Sequence, residues 1–311
     1  MTQPFRTDPD DLPRPSRPTA RQRAVAERTV GTVMRRRVVN GIMTVLMVVA
    51  AILTTLPLVL ILWHLLREGG RMISPGLFVH MPKPAGETGG GLANGIVGTS
   101  ILILVAAAFG LPVGIGAGLY LVELKSSRLA VIVRFLADVL NGLPSIVLGI
   151  FAWQFLVRPI GHFSALAGGI ALAAMMIPMV TRTTEEMVRL VPTSLREAAL
   201  ALGYSRARTA ISVVLRTATA GIVTGVLVAI ARIAGETAPL IFTVLGNEFW
   251  SVKLNQPIAA LPLQIFVYAQ GPYDAWHALA WAGALILVTL VFLISVAARF
   301  ATRARHGAAA D

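Results

Sequence analysis

Cysteine is missing from all 311 residues, which removes disulfides and thiolate metal sites and leaves the compartment undecided. Charge is scarce: 14% of residues are Asp, Glu, Lys or Arg against 56% hydrophobic, with a mean hydropathy of +0.74. A soluble domain of this size is not that apolar, so the chain reads as a membrane protein. Acidic residues number 15 against 27 basic ones, and Lys83, Lys125 and Lys253 are the only lysines. No GxxxxGK[ST] phosphate loop occurs, so nothing in the sequence marks this chain as an enzyme that hydrolyses ATP. Period-2 alternation is also missing from the apolar stretches, which excludes barrel strands.

What the chain does have is long apolar runs. Crossing a hydrocarbon core of ~30 Å takes ~20 helical residues, and six runs meet that length, at about 41–65, 95–121, 132–157, 164–181, 213–240 and 277–298. The expected fold is an all-α integral membrane protein with six transmembrane helices. Arginine sets the orientation, because cytoplasmic segments carry the excess of Lys and Arg. Nine arginines precede the first run, Lys125 and Arg128 lie between the second and third, and Arg182, Arg189, Arg196, Arg206, Arg208 and Arg216 surround the connection between the fourth and fifth. Both termini are therefore expected in the cytoplasm. The net charge of +12 is accounted for by this topology, so no nucleic-acid partner is expected. Residues 1–40 read as a disordered basic tail, 41–300 as the membrane domain and 301–311 as a second cytoplasmic tail. The first run lies too far from the start, and is too long, for a cleaved signal peptide.

Small and irregular residues interrupt the spans at three places. Gly110, Gly114 and Gly118 recur every fourth residue and form a stripe without side chains, suited to close helix packing or to a hinge, with packing the stronger reading. The third run contains DVLNGLPSIVLGIF, where Gly142 and Pro144 break the helix. Irregular backbone at membrane depth is tolerated only inside protein or beside water, so Asn141 and Ser145 are candidates for a substrate path, with an interhelical hydrogen bond as the alternative. The fifth run contains VAIARIAGETAPL, in which Arg232 and Glu236 stand four residues apart. On one continuous helix that spacing pairs them, and an unpaired charge in mid-membrane costs ~3 kcal/mol. The pair is expected either to assist a desolvating anion or to fix helix packing.

Between the fourth and fifth runs lies VPTSLREAALALGYSRARTA. Ser194 and Glu197 have the spacing of a capping box; Leu195, Ala198, Ala199 and Leu202 fall on one face, and Gly203 is placed to end the helix. So short a helix needs something to dock on, and small Ala residues at the centre of its face suit a protein groove better than a lipid surface.

Glu197, Ala198 and Ala199, followed after three residues by Gly203, resemble the EAA motif of permease subunits of ATP-binding-cassette importers. The family pattern continues through Val213, Val214 and Leu215 to a Pro, where this chain has Arg216. Four blocks in order, GTSILILVAAAFGLPVGIGAGLYLVEL, NGLPSIVLGIF, IPMVTRTTEEMVRLVPTSLREAALALG and ARIAGETAPLIFTVLG, are similar to the phosphate-transport permeases, and the Ala-Pro after Thr237 is closer to the PstA type than to PstC. The resemblance spans about residues 90–300. It implies the type I importer permease fold, with residues 194–203 as a coupling helix that meets a separate ATPase. The ATPase contacts would be Ser194, Leu195, Glu197, Ala198, Ala199, Leu202 and Gly203, and the substrate path would hold Arg232, Glu236, Asn141, Ser145 and Arg182. The implied partners are one PstC permease, two PstB ATPases and the PstS phosphate-binding protein, in a bacterial inner membrane, with no cofactor or metal on this chain. A permease for sulfate or molybdate is the nearest alternative. An ion-coupled secondary transporter, with Glu236 as its proton site, is a more distant one.

Overall fold

The computed structural model describes residues 20–84, 87, 89–124 and 127–307, and no strand occurs among them. The chain divides into two units, residues 1–62 and 63–311. The first is largely helix α1, Ala20–His64. That start lies inside the segment expected as a tail: from Ala20 the basic segment contains helix-forming Ala, Arg, Gln and Glu, and the apolar run continues it without a break. Residues 1–19 of that expected tail lie outside the described residues.

Beyond Leu65–Gly69 and Gly70–Met72, which continue α1, the second unit contains ten helices among its described residues. They are α2 (Pro75–Val79), α3 (Ala93–Glu123), α4 (Arg128–Gly142), α5 (Ser145–Ile160), α6 (Ala165–Arg189), α7 (Thr193–Ala201), α8 (Arg206–Ala234), α9 (Ala238–Thr243), α10 (Leu261–Gln270) and α11 (Asp274–Gly307). Five segments are single helices long and apolar enough to span: 34–72, α3, α6, α8 and 274–300. The break expected in the third run at Gly142 and Pro144 is present: the run is the pair α4 and α5, bent by 107°. The cause is local. Leu143 is extended, at φ −74° and ψ 137°, because the ring of Pro144 disfavours the helical conformation of the residue before it.

Helix α6 is the axis of this unit, and glycines bring its neighbours close. Gly110, Gly114 and Gly118 of α3 lie against Met176, Val180 and Thr184; a Cβ on Gly118 would stand 2.5 Å from that of Thr184. The packing reading of the stripe therefore holds. On another face, Gly221 and Gly225 of α8 meet Met187 and Thr183. These contacts fix direction as well as distance. Numbers rise together along α3 and α6, so the two run parallel, whereas α8 runs antiparallel to α6. Parallel neighbours require the intervening chain to return across the bundle, so α4 and α5 together make one crossing.

The two ends of this bundle differ. At the end where α3 and α6 begin, the connection from α9 to α10 is sewn onto both helices. Ser164, Ala165 and Leu166 donate backbone N–H groups to the carbonyls of Thr243, Gln256 and Leu254, and Leu261 N–H donates to Thr99 Oγ1 at 2.8 Å. Asn94, only 4% exposed, donates to the carbonyls of Asn247 and Glu248 and accepts from Gln264 Nε2 at 3.0 Å. The backbone bonds among these satisfy N–H groups that a helix start otherwise leaves free. α9 had no distinct signal in the sequence, because its apolar residues continue the composition of the fifth run, and α10, set off by the polar segment 246–257, is too short to read as a span. At the opposite end, α3 and α6 terminate and α7 follows. The apolar core between the ends includes Leu102, Leu172, Met176, Ile233, Leu240 and Ile258.

Candidate functional site

Helix α4 carries Ala130 and Ala137 on its buried face, and these small side chains let it lie close on α6. Arg134 and Asp138, one turn apart, are thereby brought to Arg182, Glu185 and Arg189. Glu185 is the hub, its side chain 3% exposed. Its Oε1 accepts from Arg134 Nη2 at 2.7 Å and from Nε at 3.1 Å, and also from Arg189; its Oε2 accepts from Arg182 Nη1 at 3.0 Å. Arg182 turns its other edge to Asp138, with Nε 2.9 Å from Oδ1 and Nη2 on the same oxygen. Three guanidiniums and two carboxylates leave one positive charge in excess.

This arrangement settles how a carboxylate exists at such burial. Glu185 is desolvated, and a buried charge persists only when paired and hydrogen-bonded. The network opens outward: Arg134 and Arg182 are about one third exposed or less, while Asp138 and Arg189 are more than half exposed. Its open rim can offer guanidinium donors to an anion, and those donors have the planar geometry that phosphate oxygens accept.

Of the residues singled out from sequence, Arg182 alone belongs to this network. The expected Arg232–Glu236 pair does not form. Helix α8 ends at Ala234 with Gly235 as its cap, and α9 begins at Ala238 with Pro239 in its first turn. Four-residue spacing pairs side chains only on a continuous helix; here the break turns Glu236 away from that register, and no ion pair joins the two among the described residues. Arg232 is exposed and Glu236 half-buried. Arg232 lies in the last helical turn, where the dipole of α8 favours a cation.

Asn141 is exposed in the last turn of α4, and Ser145, half-buried, starts α5 beyond the elbow. The two interruptions are neighbours through packing, since Gly149 of α5 lies against Pro239 and Phe242 of α9. The helices that follow the two breaks, α5 and α9, thus pack on each other. Glu185, Arg134 and Asp138 were not among the site residues expected from the sequence. The complementary four-residue spacing of Arg134 and Asp138, and the three- and four-residue steps from Glu185 to Arg182 and Arg189, were the available signal.

At the other candidate site, α7 is a helix as expected, but it starts at Thr193 with Pro192 as cap and has no side-chain cap. The expected capping box of Ser194 and Glu197 is therefore not formed: Ser194 is already inside the first turn and cannot reach forward to its own helix start. The far end matches expectation. Gly203 is left-handed at φ +83°, Tyr204 N–H donates to Ala199 O at 3.1 Å and Gly203 N–H to Leu200 O at 2.9 Å, the paired bonds of a Schellman ending. Ser205 then caps the next helix through Arg208 N–H. Of the expected apolar face only Ala199 is buried; Leu195 is 42% and Leu202 80% exposed, with Leu200 at 44% beside them. Ahead of Arg216, where the family pattern has Pro, the backbone forms a wide π turn over Ala210–Leu215.

Residues 110–306 match the family described as binding-protein-dependent transport system inner membrane component. A Yersinia pestis protein named phosphate transport system permease protein PstA is 47% identical over 265 residues, covering 85% of this chain and 90% of that one. A Mycobacterium tuberculosis protein named phosphate transport system permease protein PstA 1 is 36% identical over 287 residues, covering 88% and 92%. Among solved structures, an inward facing conformation of the MetNI methionine ABC transporter is similar with a TM-score of 0.57 at 22% identity, over 68% of this chain and 95% of that one. At that identity the likeness speaks for the fold, which is that of an ABC importer permease.

Proposed function

This chain belongs to the inner membrane components of binding-protein-dependent transport systems, of the PstA phosphate type, and on that footing we propose that it forms one half of a phosphate pore in a bacterial inner membrane. It is the transmembrane permease subunit of a phosphate ABC importer, a complex that includes an ATPase and a substrate-binding protein. In our reading the other half of the pore is PstC, two PstB subunits hydrolyse ATP, and PstS delivers phosphate. ATP and magnesium then belong to PstB, and this chain needs no cofactor. The chain termini and α7 face the cytoplasm in this reading, as the distribution of arginine favours.

The observation that carries the proposal is α7: a helix too short to persist unaided, closed at Gly203, with Leu195, Leu200 and Leu202 uncovered. An apolar face of that kind is completed by a partner's groove. Glu197 and Ala198 are exposed beside it, consistent with the ATPase-contact role, while Ala199 is buried and α7 packs on the chain's own π turn.

For the substrate path we propose a relay of unequal cationic sites. Gly225 of α8 lies level with Thr183 of α6, and Arg232 is seven residues further, roughly 10 Å along the helix. Phosphate entering from the end where α3 and α6 begin therefore meets Arg232 first and the Arg182 network second. Arg232, with no carboxylate pairing it among the described residues, replaces part of the anion's hydration, while Asn141, Ser145 and Glu236 line the two backbone breaks. Arg182 is already shared between Asp138 and Glu185, so it binds phosphate weakly enough to release it. The test is purification of the chain with its partners and measurement of ATP hydrolysis on addition of phosphate-loaded binding protein. Stimulation is the expected result, and absence of an ATPase partner defeats the reading.

A further inference from the structure

Motion received by α7 must reach the membrane helices, and covalent connection alone is a poor route. On one side α7 hangs from Val191 and Pro192, and on the other it ends at the left-handed Gly203. Its only buried side chain is Ala199. Between α7 and the ends of α3 and α6 lies a cavity of about 500 Å³ lined by Val122, Arg189, Val191, Thr193 and Arg196, so packed apolar side chains do not fill this space. One side chain crosses it. Arg196 of α7 donates through Nη1 to Glu123 Oε1, on the last residue of α3, and through Nη2 to Val188 O in the last turns of α6 at 3.1 Å. Its side chain is 20% exposed and that of Glu123 32%.

We propose that Arg196 is a coupling strut, a positioning residue that makes α7 move as one body with the paired helices α3 and α6. The planar guanidinium holds two acceptors on two different helices at once, which a flexible ammonium does less rigidly. Because the glycine stripe already locks α3 to α6, a displacement of the strut is passed to both helices together. The strut touches neither substrate nor nucleotide, so its loss should leave each half-reaction possible while separating them. This rests on the importer reading above.

The experiment uses the whole complex with its partner subunits in liposomes, reading phosphate taken up per ATP hydrolysed. Arg196→Met and Glu123→Gln are expected to assemble as the wild type does and still to hydrolyse ATP, with phosphate moved per ATP falling at least fivefold. Arg196→Lys, which keeps the charge but not the double bond, should recover part of the loss. Glu123→Gln leaves Arg196 and its bond to Val188 in place, so it reports even where Arg196→Met fails to fold. An unchanged ratio in Glu123→Gln overturns the strut, as does loss of the ATPase from both variants, which would make Arg196 a docking residue. A wild-type complex whose ATP hydrolysis ignores phosphate-loaded binding protein marks failure of the importer reading instead.

Discussion

Glu185 shows at the level of one side chain why the charged network cannot be trimmed piecemeal. Removing a single partner from a buried ion pair strands the other and costs about 3–5 kcal/mol. Glu185→Ala would leave Arg134 and Arg182 without their common acceptor, and a drop in thermal stability of about that size, with loss of phosphate uptake, is expected. A melting curve of the purified complex measures the first and labelled-phosphate uptake the second. Arg189→Ala should be milder, below about 1 kcal/mol, because Arg189 is more than half exposed and solvent screens its contact. Arg232 calls for a different outcome. It makes no ion pair with Glu236, so Arg232→Gln should leave assembly and melting unchanged and abolish uptake; normal uptake at normal assembly would end its role in the path. The sequence made these two charges look like partners because residue spacing reads as a pair only while the helix lasts. Gly235 and Pro239 gave warning of the break, but not of where Glu236 would point.

At the level of helices, the glycine stripe decides which elements lie side by side and in which direction. Gly118→Val would drive a side chain into Thr184 and into the backbone carbonyl of Thr181, 2.6 Å from the added Cβ. Neither helix can yield without moving the other, so a loss of about 1–3 kcal/mol is expected, read as a lower melting temperature and a smaller yield of assembled complex. Gly116→Val on the same helix is the control, since nothing lies within 4 Å of its added Cβ; equal effects at both positions would refute the packing account. Four-residue spacing announced the stripe. It did not announce that the facing residues would be Met176, Val180 and Thr184, and that choice makes α3 and α6 parallel. The docking helix was similarly legible in outline, from its Gly stop and apolar spacing, while its start was misjudged because Pro192 takes the cap position that Ser194 was expected to hold.

Across the whole molecule, the functional ends are opposite: the sewn connection before α10 closes one, and α7 stands at the other. Absence of native cysteine makes this testable by single introduced thiols. Phe249→Cys, at an exposed position, should react with an impermeant maleimide added outside intact cells. Leu202→Cys should react only after the cytoplasmic side is opened, and should be shielded when the ATPase is bound; labelling of both from one side would refute the arrangement. Sequence by itself determined that the chain is helical and membrane-bound, that the third run is broken, where α7 lies and which family it resembles, because hydropathy, helix-breaking residues and short motifs are local properties of the chain. Only the tertiary structure decided how sharply the third crossing is bent, that Arg232 stands apart from Glu236, and that Glu185 gathers Arg134, Arg182 and Arg189. Those depend on which helix faces which, and contacts between residues some fifty positions apart, such as Arg134 with Glu185, are set by close packing of small side chains rather than by any period along the sequence.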